Sequence, residues 1–237
     1  RRDTMKRVMT VLVTIAVCSS VLPGCAARSS SANLPASSTL RDTHERLNGV
    51  LWMQTSAEFH VLSTVAYRDA TERLTARLAD VRAGRPVRSA AIEQEGEGTR
   101  GLPLAVIVDV DETILDNSPM SGQLIADRKG FDSASWSAWV ERAQAAFLPG
   151  AREFAELARQ EGVDVFFVTN RTKAEEDATI RDLLPLVVSE QQVLTSCETG
   201  AGESSPWPSE KKSRREFVAQ THWIIAMVGD DLADFIP

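Results

Sequence analysis

The sequence predicts an α/β domain built on a parallel sheet, and three observations carry that expectation. Continuous apolar runs rich in β-branched residues occur at Leu104–Val110, Val163–Thr169 and Trp223–Gly229, as expected of strands buried on both faces. Segments of helical composition, Ala151–Arg159 and Glu210–Ala219, precede the second and third runs, and strand–helix alternation favours parallel order. Pro103 before the first run and Gly162 before the second punctuate the elements as such boundaries require.

The N-terminal end reads differently. Lys6 and Arg7 precede a mostly apolar stretch, Val8–Leu22, followed by small residues, which is a secretory signal pattern. The stretch is shorter than the roughly 20 apolar residues a spanning helix needs. From Ala26 to Leu40 the chain is rich in Ser, Ala and Pro, a composition that cannot bury enough surface to order itself and reads as a tether. The expected organisation is a signal peptide over 1–24, a flexible tether over 25–42 and a folded domain over 43–237.

Within that domain, Thr43–Ala83 is rich in Leu, Ala, Glu and Arg without proline, and predicts one long or broken helix. A polar loop, Gly84–Gly101, leads to the first strand. A short strand is expected at Gln192–Leu194. Residues 116–147, with helical patches and two tryptophans, read as an insertion over the C-terminal end of the first strand.

Composition narrows the function classes. A chain of 237 residues with 43% hydrophobic content suits one domain with a full core. The formal charge is −7, and the cationic N-terminal end makes the remainder more acidic still, so a nucleic-acid polymer is not an expected partner. One metal ion and one lysine can still create a local site for a small phosphate-bearing substrate. The cysteines (Cys18, Cys25, Cys197) and histidines (His44, His60, His222) show no zinc spacing and no disulfide framework. Cys197 reads as a buried or loop thiol without a role.

Ligands of open α/β sheets bind beyond the carboxyl ends of the strands, and chemistry-bearing residues stand at three such ends. Asp109-Val110-Asp111-Glu112-Thr113 closes the first strand and Thr169-Asn170-Arg171 the second. Gly229-Asp230-Asp231-Leu232-Ala233-Asp234 follows the last strand, and Lys211 and Lys212 open the helix before it. Asp109 and Asp111, two apart in an extended segment, can face the same side. Crowded carboxylates call for a cation, and Asp230 would complete a hard-oxygen site suited to Mg²⁺, which retains waters and leaves room for a phosphate oxygen. A carboxylate attacking phosphorus forms an acyl phosphate that water can open. A second carboxylic acid can protonate the leaving alkoxide. A lone Asp-x-Asp would read as solvated acids ending a strand; its companions here point to phosphoryl transfer.

The strings that carry these residues resemble a known family. DVDETILDNSP (109–119), LPGAREF (148–154), FFVTNR (166–171), KKSRR (211–215) and VGDDLADF (228–235) are similar to the class C acid phosphatases of the haloacid dehalogenase-like (HAD) superfamily. That family includes the bacterial lipoprotein e phosphatase, and LWMQTSAEF (51–59) resembles its first helix. The resemblance implies a HAD-like Rossmannoid parallel sheet with helices on both faces, a small helical cap insertion at about 116–147 and an N-terminal helical extension. It implies Asp109 as nucleophile, Asp111 as general acid/base, Thr169 as phosphate-binding hydroxyl and Lys211 as the motif lysine. Lys212 stands one step away. Mg²⁺ would bind the Asp109 carboxylate, the Asp111 backbone carbonyl and Asp230, with Asp234 orienting Asp230 or a lysine from behind.

Other expectations follow from the same resemblance. Asn170 and Arg171 are candidates for phosphate binding or for support of the site. The family stacks a nucleoside base on aromatics from the insertion, which points to Phe131 or Trp136, although two tryptophans at close spacing also suit a local core. Leu22-Pro23-Gly24-Cys25 resembles the bacterial lipobox, implying a lipidated Cys25, a membrane held through that anchor and a place in the bacterial cell envelope. The family usually continues beyond its fourth motif, so the resemblance implies a shortened C-terminus. Met120 and Asp231 depart from its usual aromatic and asparagine. The implied function is a Mg²⁺-dependent acid phosphatase acting on phosphate monoesters, 5′-nucleotides among them. The competing expectation is a non-enzymatic surface lipoprotein of the same fold, used for binding or adhesion. A phosphorylation receiver fails on order, because its phosphoacceptor ends a middle strand and here that strand ends in Thr169.

Overall fold

The computed structural model describes residues 45–236 apart from 97, 187 and 197–206. The expected signal peptide, tether and lipidated Cys25, and the thiol of Cys197, lie outside the described residues. Among the described residues no helix is long and apolar enough to cross a membrane.

The predicted N-terminal helix is broken into α1 (Leu47–Thr55) and α2 (Ala57–Arg82). The break falls at Ser56, whose backbone is extended and whose Oγ accepts the Phe59 amide at 3.0 Å. A serine side chain in that position satisfies an otherwise unpaired helix donor. The chain then runs β1 (Leu104–Val108), β2 (Leu115–Asp116), α3 (Ser118–Ala126), α4 (Ser133–Glu141), β3 (Ala146–Phe147), α5 (Ala151–Gln160), β4 (Asp164–Thr172), α6 (Glu176–Leu183), β5 (Val193–Ser196), α7 (Lys212–Thr221) and β6 (Trp223–Val228).

Four strands form one parallel sheet in the order β5–β4–β1–β6. Their alternating side chains enter two cores. Val106, Val108, Phe167 and Trp223 pack with Leu74 of α2 and Phe154 of α5. Ala105, Ile107, Phe166 and Ile224 pack on the other side with Val218 of α7. Coverage of both faces is why the strands read as unbroken apolar runs rather than alternating ones. Register fixes the rim: Val108 pairs with Phe167 and with Val228, so the residues after all three reach the same level.

The insertion leaves and rejoins the domain through a two-stranded antiparallel ribbon, β2 with β3, which the sequence did not announce. Two-residue strands are too short for alternation to register. Met120, Leu124, Trp139 and Val140 of the insertion form a small core with Ala178 of α6. Gly150, at φ +87°, turns the chain from the ribbon into α5; a Cβ there would lie 2.8 Å from Tyr67 Cβ, so the turn admits no side chain. It lets α5 lie against α2, with the Tyr67 and Phe154 rings 5.9 Å apart.

Phe154→Ala should therefore lower the unfolding free energy by about 3–5 kcal/mol in a urea titration. Arg152→Ala, which removes only an exposed pair with Glu156, should change it by less than about 1 kcal/mol. Equal effects would contradict this account of the core.

Candidate active site

Asp109 is the first residue beyond β1, and its amide extends the ladder by donating to Val228 O at 2.9 Å. Its side chain is buried, 6% exposed, and is met by the Nζ of Lys211. The same Nζ donates to Asp234 Oδ1 at 2.5 Å. Lys211 stands at the N-terminal cap of α7, where the helix direction carries it to the rim. Lys212 turns away toward Glu216, 3.9 Å off, with its side chain 46% exposed. Geometry thus separates the two candidate lysines.

Asp109, Asp230 and Asp234 each place a carboxylate oxygen within 4.8 Å of the others. Burial pushes the Asp109 carboxyl up to about 7, against the pull of Lys211. Asp230 is also raised, by burial and then by Asp234. One lysine among three carboxylates leaves an excess of negative charge, and an all-oxygen donor set of this size fits a hard divalent cation. Asp234 oxygens already have partners, Lys211 on one and the Asp231 amide on the other at 3.1 Å. Asp234 therefore orients the lysine and the loop, one of the two arrangements anticipated for it. Gly229 makes this possible: a Cβ there would lie 2.2 Å from Asp234 Oδ2. Thr113 Oγ1 donates to Asp230 Oδ1 at 3.3 Å and completes the enclosure.

Asp111 lies across the rim from the lysine. Its Oδ2 meets Thr169 Oγ1 at 3.3 Å, and its Oδ1 accepts from Arg171 Nε at 3.0 Å and Asn117 Nδ2 at 2.9 Å. The turn after it places Glu112 in the left-handed region at φ +57°, an uncommon conformation for a residue with a side chain. The Glu112 carboxyl, pushed up to about 7 by burial and by Asp111, accepts the Asn117 amide at 3.1 Å.

Arg171 is the candidate for phosphate binding or for support of the site. It is 1% exposed and does not present its guanidinium to a substrate. β4 continues through Thr172, and its two-residue period puts Arg171 beside the buried Thr169 while Asn170 faces solvent. Besides Asp111, Arg171 Nη1 reaches Thr179 and Asp182 of α6, each at 3.2 Å. Burial alone would lower its pKa, but Asp111 and Asp182 outweigh it and hold the charge more firmly than usual.

Asn170 lines a cavity of about 260 Å³ with Asp109, Asp111, Lys211 and Asp230. Its Oδ1 accepts from Arg214 at 2.7 Å. Of the two anticipated aromatics, Phe131 is 52% exposed and packs against Trp136 at 6.1 Å. Trp136 itself lies over the Arg171 guanidinium, 5.7 Å from its centre. Beyond Thr113 and Asp230, a second cleft of about 300 Å³ is lined mainly by apolar side chains of α1 and α2, Trp52, Phe59 and Leu62 among them.

Several supporting residues escaped sequence reasoning. Arg214 is fully buried and binds the carbonyls of Thr169 and Ser209, tying β4 to the start of α7. Arg215 is equally buried; it pairs with Glu93 at 2.7 Å and donates to Asp234 O at 3.0 Å. Asn117 is oriented by Trp139, whose Nε1 donates to its Oδ1 at 2.8 Å. Their signal lay inside the matched strings, in the Asn of DNSP and the Arg pair of KKSRR.

Comparison with known proteins agrees with this architecture. The family described as "HAD superfamily, subfamily IIIB (Acid phosphatase)" matches residues 26–236. The class C acid phosphatase of Bacillus anthracis, solved with tungstate bound, is 30% identical, with a TM-score of 0.66 over 84% of this chain and 73% of its own. A second structure of that enzyme gives 31% identity, the same TM-score and the same share of this chain, with 72% of its own covered. Acid phosphatase 1 of Solanum lycopersicum is 24% identical over 132 residues, 55% of this chain. The chain spans about half the length of that curated relative, 51%. With all the described residues inside the match and each motif at the rim of the sheet, the chain belongs to the HAD superfamily, subfamily IIIB, the acid phosphatases.

Proposed function

We propose that this chain is a Mg²⁺-dependent acid phosphatase that hydrolyses phosphate monoesters, 5′-nucleotides among the candidate substrates, through an aspartyl-phosphate on Asp109. The observation that carries the reading is the meeting of Asp109, Asp111, Lys211 and Asp230 around one cavity, with the buried Thr169 hydroxyl 3.3 Å from Asp111 Oδ2. Tungstate is a tetrahedral oxyanion, and its presence in the Bacillus anthracis relative supports binding of a phosphate-like group by this chain.

In this reading an Asp109 oxygen attacks phosphorus, the bond to the leaving oxygen breaks, and Asp111 protonates the departing alkoxide. Asp111 then takes a proton from water, whose oxygen attacks phosphorus and frees Asp109 as inorganic phosphate departs. Thr169 Oγ1 and Lys211 Nζ supply positive partners for the transferring oxygens. Mg²⁺ held by Asp109, Asp230 and the Asp111 backbone carbonyl would offset the charge of substrate and carboxylates together. The carboxyl of Asp109 is pushed up to about 7 by burial, and a cation held beside it would favour the ionised, nucleophilic form. The exported form is read as lipid-anchored through Cys25 at the outer membrane or periplasmic face of a bacterial envelope.

Asp109→Asn should lower turnover of p-nitrophenyl phosphate by about three orders of magnitude or more, measured at mildly acid pH with saturating Mg²⁺; wild-type turnover would refute the nucleophile. Chelation by EDTA should abolish turnover and Mg²⁺ restore it, while full activity in EDTA would remove the metal from the account. Cys25→Ser should shift the protein, expressed in bacteria, from the detergent to the aqueous phase on Triton X-114 partition. Unchanged partition would rule out the anchor.

A further inference from the structure

The phosphatase reading leaves open what makes Asp111, rather than any other acid at the rim, a competent proton donor. A donor must keep one oxygen directed at the leaving group, and free carboxylates rotate. Here one oxygen of Asp111 is occupied. Oδ1 accepts from Asn117 Nδ2 at 2.9 Å and Arg171 Nε at 3.0 Å, and Arg171 Nη2 lies 2.9 Å from it. Donors crowd Oδ1, so a proton carried by this acid resides on Oδ2, beside the hydroxyl of Thr169, which can donate or accept.

The two donors are themselves fixed by one helix of the insertion. Trp139 Nε1 donates to Asn117 Oδ1 at 2.8 Å. Rotating the Asn117 amide would set its oxygen against a carboxylate and its NH₂ against an indole N–H, so only the observed orientation satisfies both neighbours. Trp136, one turn earlier on α4, covers the Arg171 guanidinium at 5.7 Å, and Thr179 and Asp182 hold the far side of that fork at 3.2 Å. Residues three apart on a helix share a face, which is how α4 addresses both supports at once.

We propose that Asn117 and Arg171, clamped by Trp139 and Trp136 of α4, are positioning residues that lock Asp111 with Oδ1 tied and Oδ2 directed to the leaving oxygen. The insertion thereby contributes to proton transfer and not only to enclosure. The proposal rests on the phosphatase reading.

Its test is the dependence of kcat/KM on the leaving group, because kcat/KM reports events through departure of the alcohol. A poor leaving group needs the proton; a very acidic phenol does not. Wild type, Asn117→Ala and Trp139→Phe are each assayed with an alkyl phosphate and with 2,4-dinitrophenyl phosphate at saturating Mg²⁺. Asn117→Ala should lose about 100-fold on the alkyl ester and less than about threefold on the dinitrophenyl ester, within the range of general acid catalysis. Trp139→Phe, which deletes one N–H and keeps an aromatic ring, should lose about tenfold on the alkyl ester with the same spared substrate; it carries the test if Asn117→Ala does not fold. A uniform loss on both esters, or no loss, with wild type active overturns the positioning role alone. A wild-type protein that hydrolyses neither ester overturns the phosphatase reading and this proposal with it.

Discussion

Burial of charge at the rim where β1, β4 and β6 end is the constraint on which the rest of the structure depends. Asp109 and Asp234 are nearly closed to solvent, and Lys211 between them is 8% exposed. Removing such groups from water costs several kcal/mol each unless a partner and further hydrogen bonds compensate. The partner comes from a helix far along the chain from Asp109, so the docking of α7 against the sheet and the assembly of the site are the same event. A lysine offset by one position would point toward Glu216, as Lys212 does, and would leave the acids unpaired.

What holds α7 in that register is a set of buried guanidinium groups. Arg214 and Arg215 follow Lys211 on the helix and are fully buried. One binds the end of β4, and the other binds the loop carrying Asp230 and Asp234 together with Glu93. Burial lowers the pKa of Arg214 to about 10, which leaves the guanidinium charged at neutral pH. Arg171 does the same for α6 and Asp111. A planar fork with several donors in fixed directions joins two or three segments with defined geometry, where a lysine acts as a flexible point charge. The catalytic candidates are therefore held by side chains that never meet substrate, and this is the preorganisation that phosphoryl transfer requires.

The strands and the meeting of the motif residues were legible because both follow from period and position. Continuous apolar runs mark strands covered on two faces, and matched register, Val108 beside Phe167 and Val228, sets Asp109, Thr169 and Asp230 at neighbouring levels. α6 was not legible: Glu176, Thr179 and Asp182 look like a solvated polar segment, yet they are buried because Arg171 and its neighbours require them. Phosphate binding and support of the site both stayed open for Arg171 for the same reason, since an arginine after a strand has no sequence mark of burial. The break at Ser56 lay within the expected choice of a long or broken helix. Trp136 and Trp139 could be read as core or as a stacking platform, and periodicity alone does not separate those; their contacts with Arg171 and Asn117 do.

The central claim is that the buried carboxylate ending β1 becomes the covalent carrier of phosphorus. Acid quenching of the enzyme during turnover of a phosphate monoester, followed by peptide mass spectrometry, addresses it directly. The account predicts a phosphoryl group on the peptide carrying Asp109, at that residue and at no other carboxylate of the rim. Label on a different residue, or rapid turnover with no phosphorylated peptide at any quench time, would contradict it.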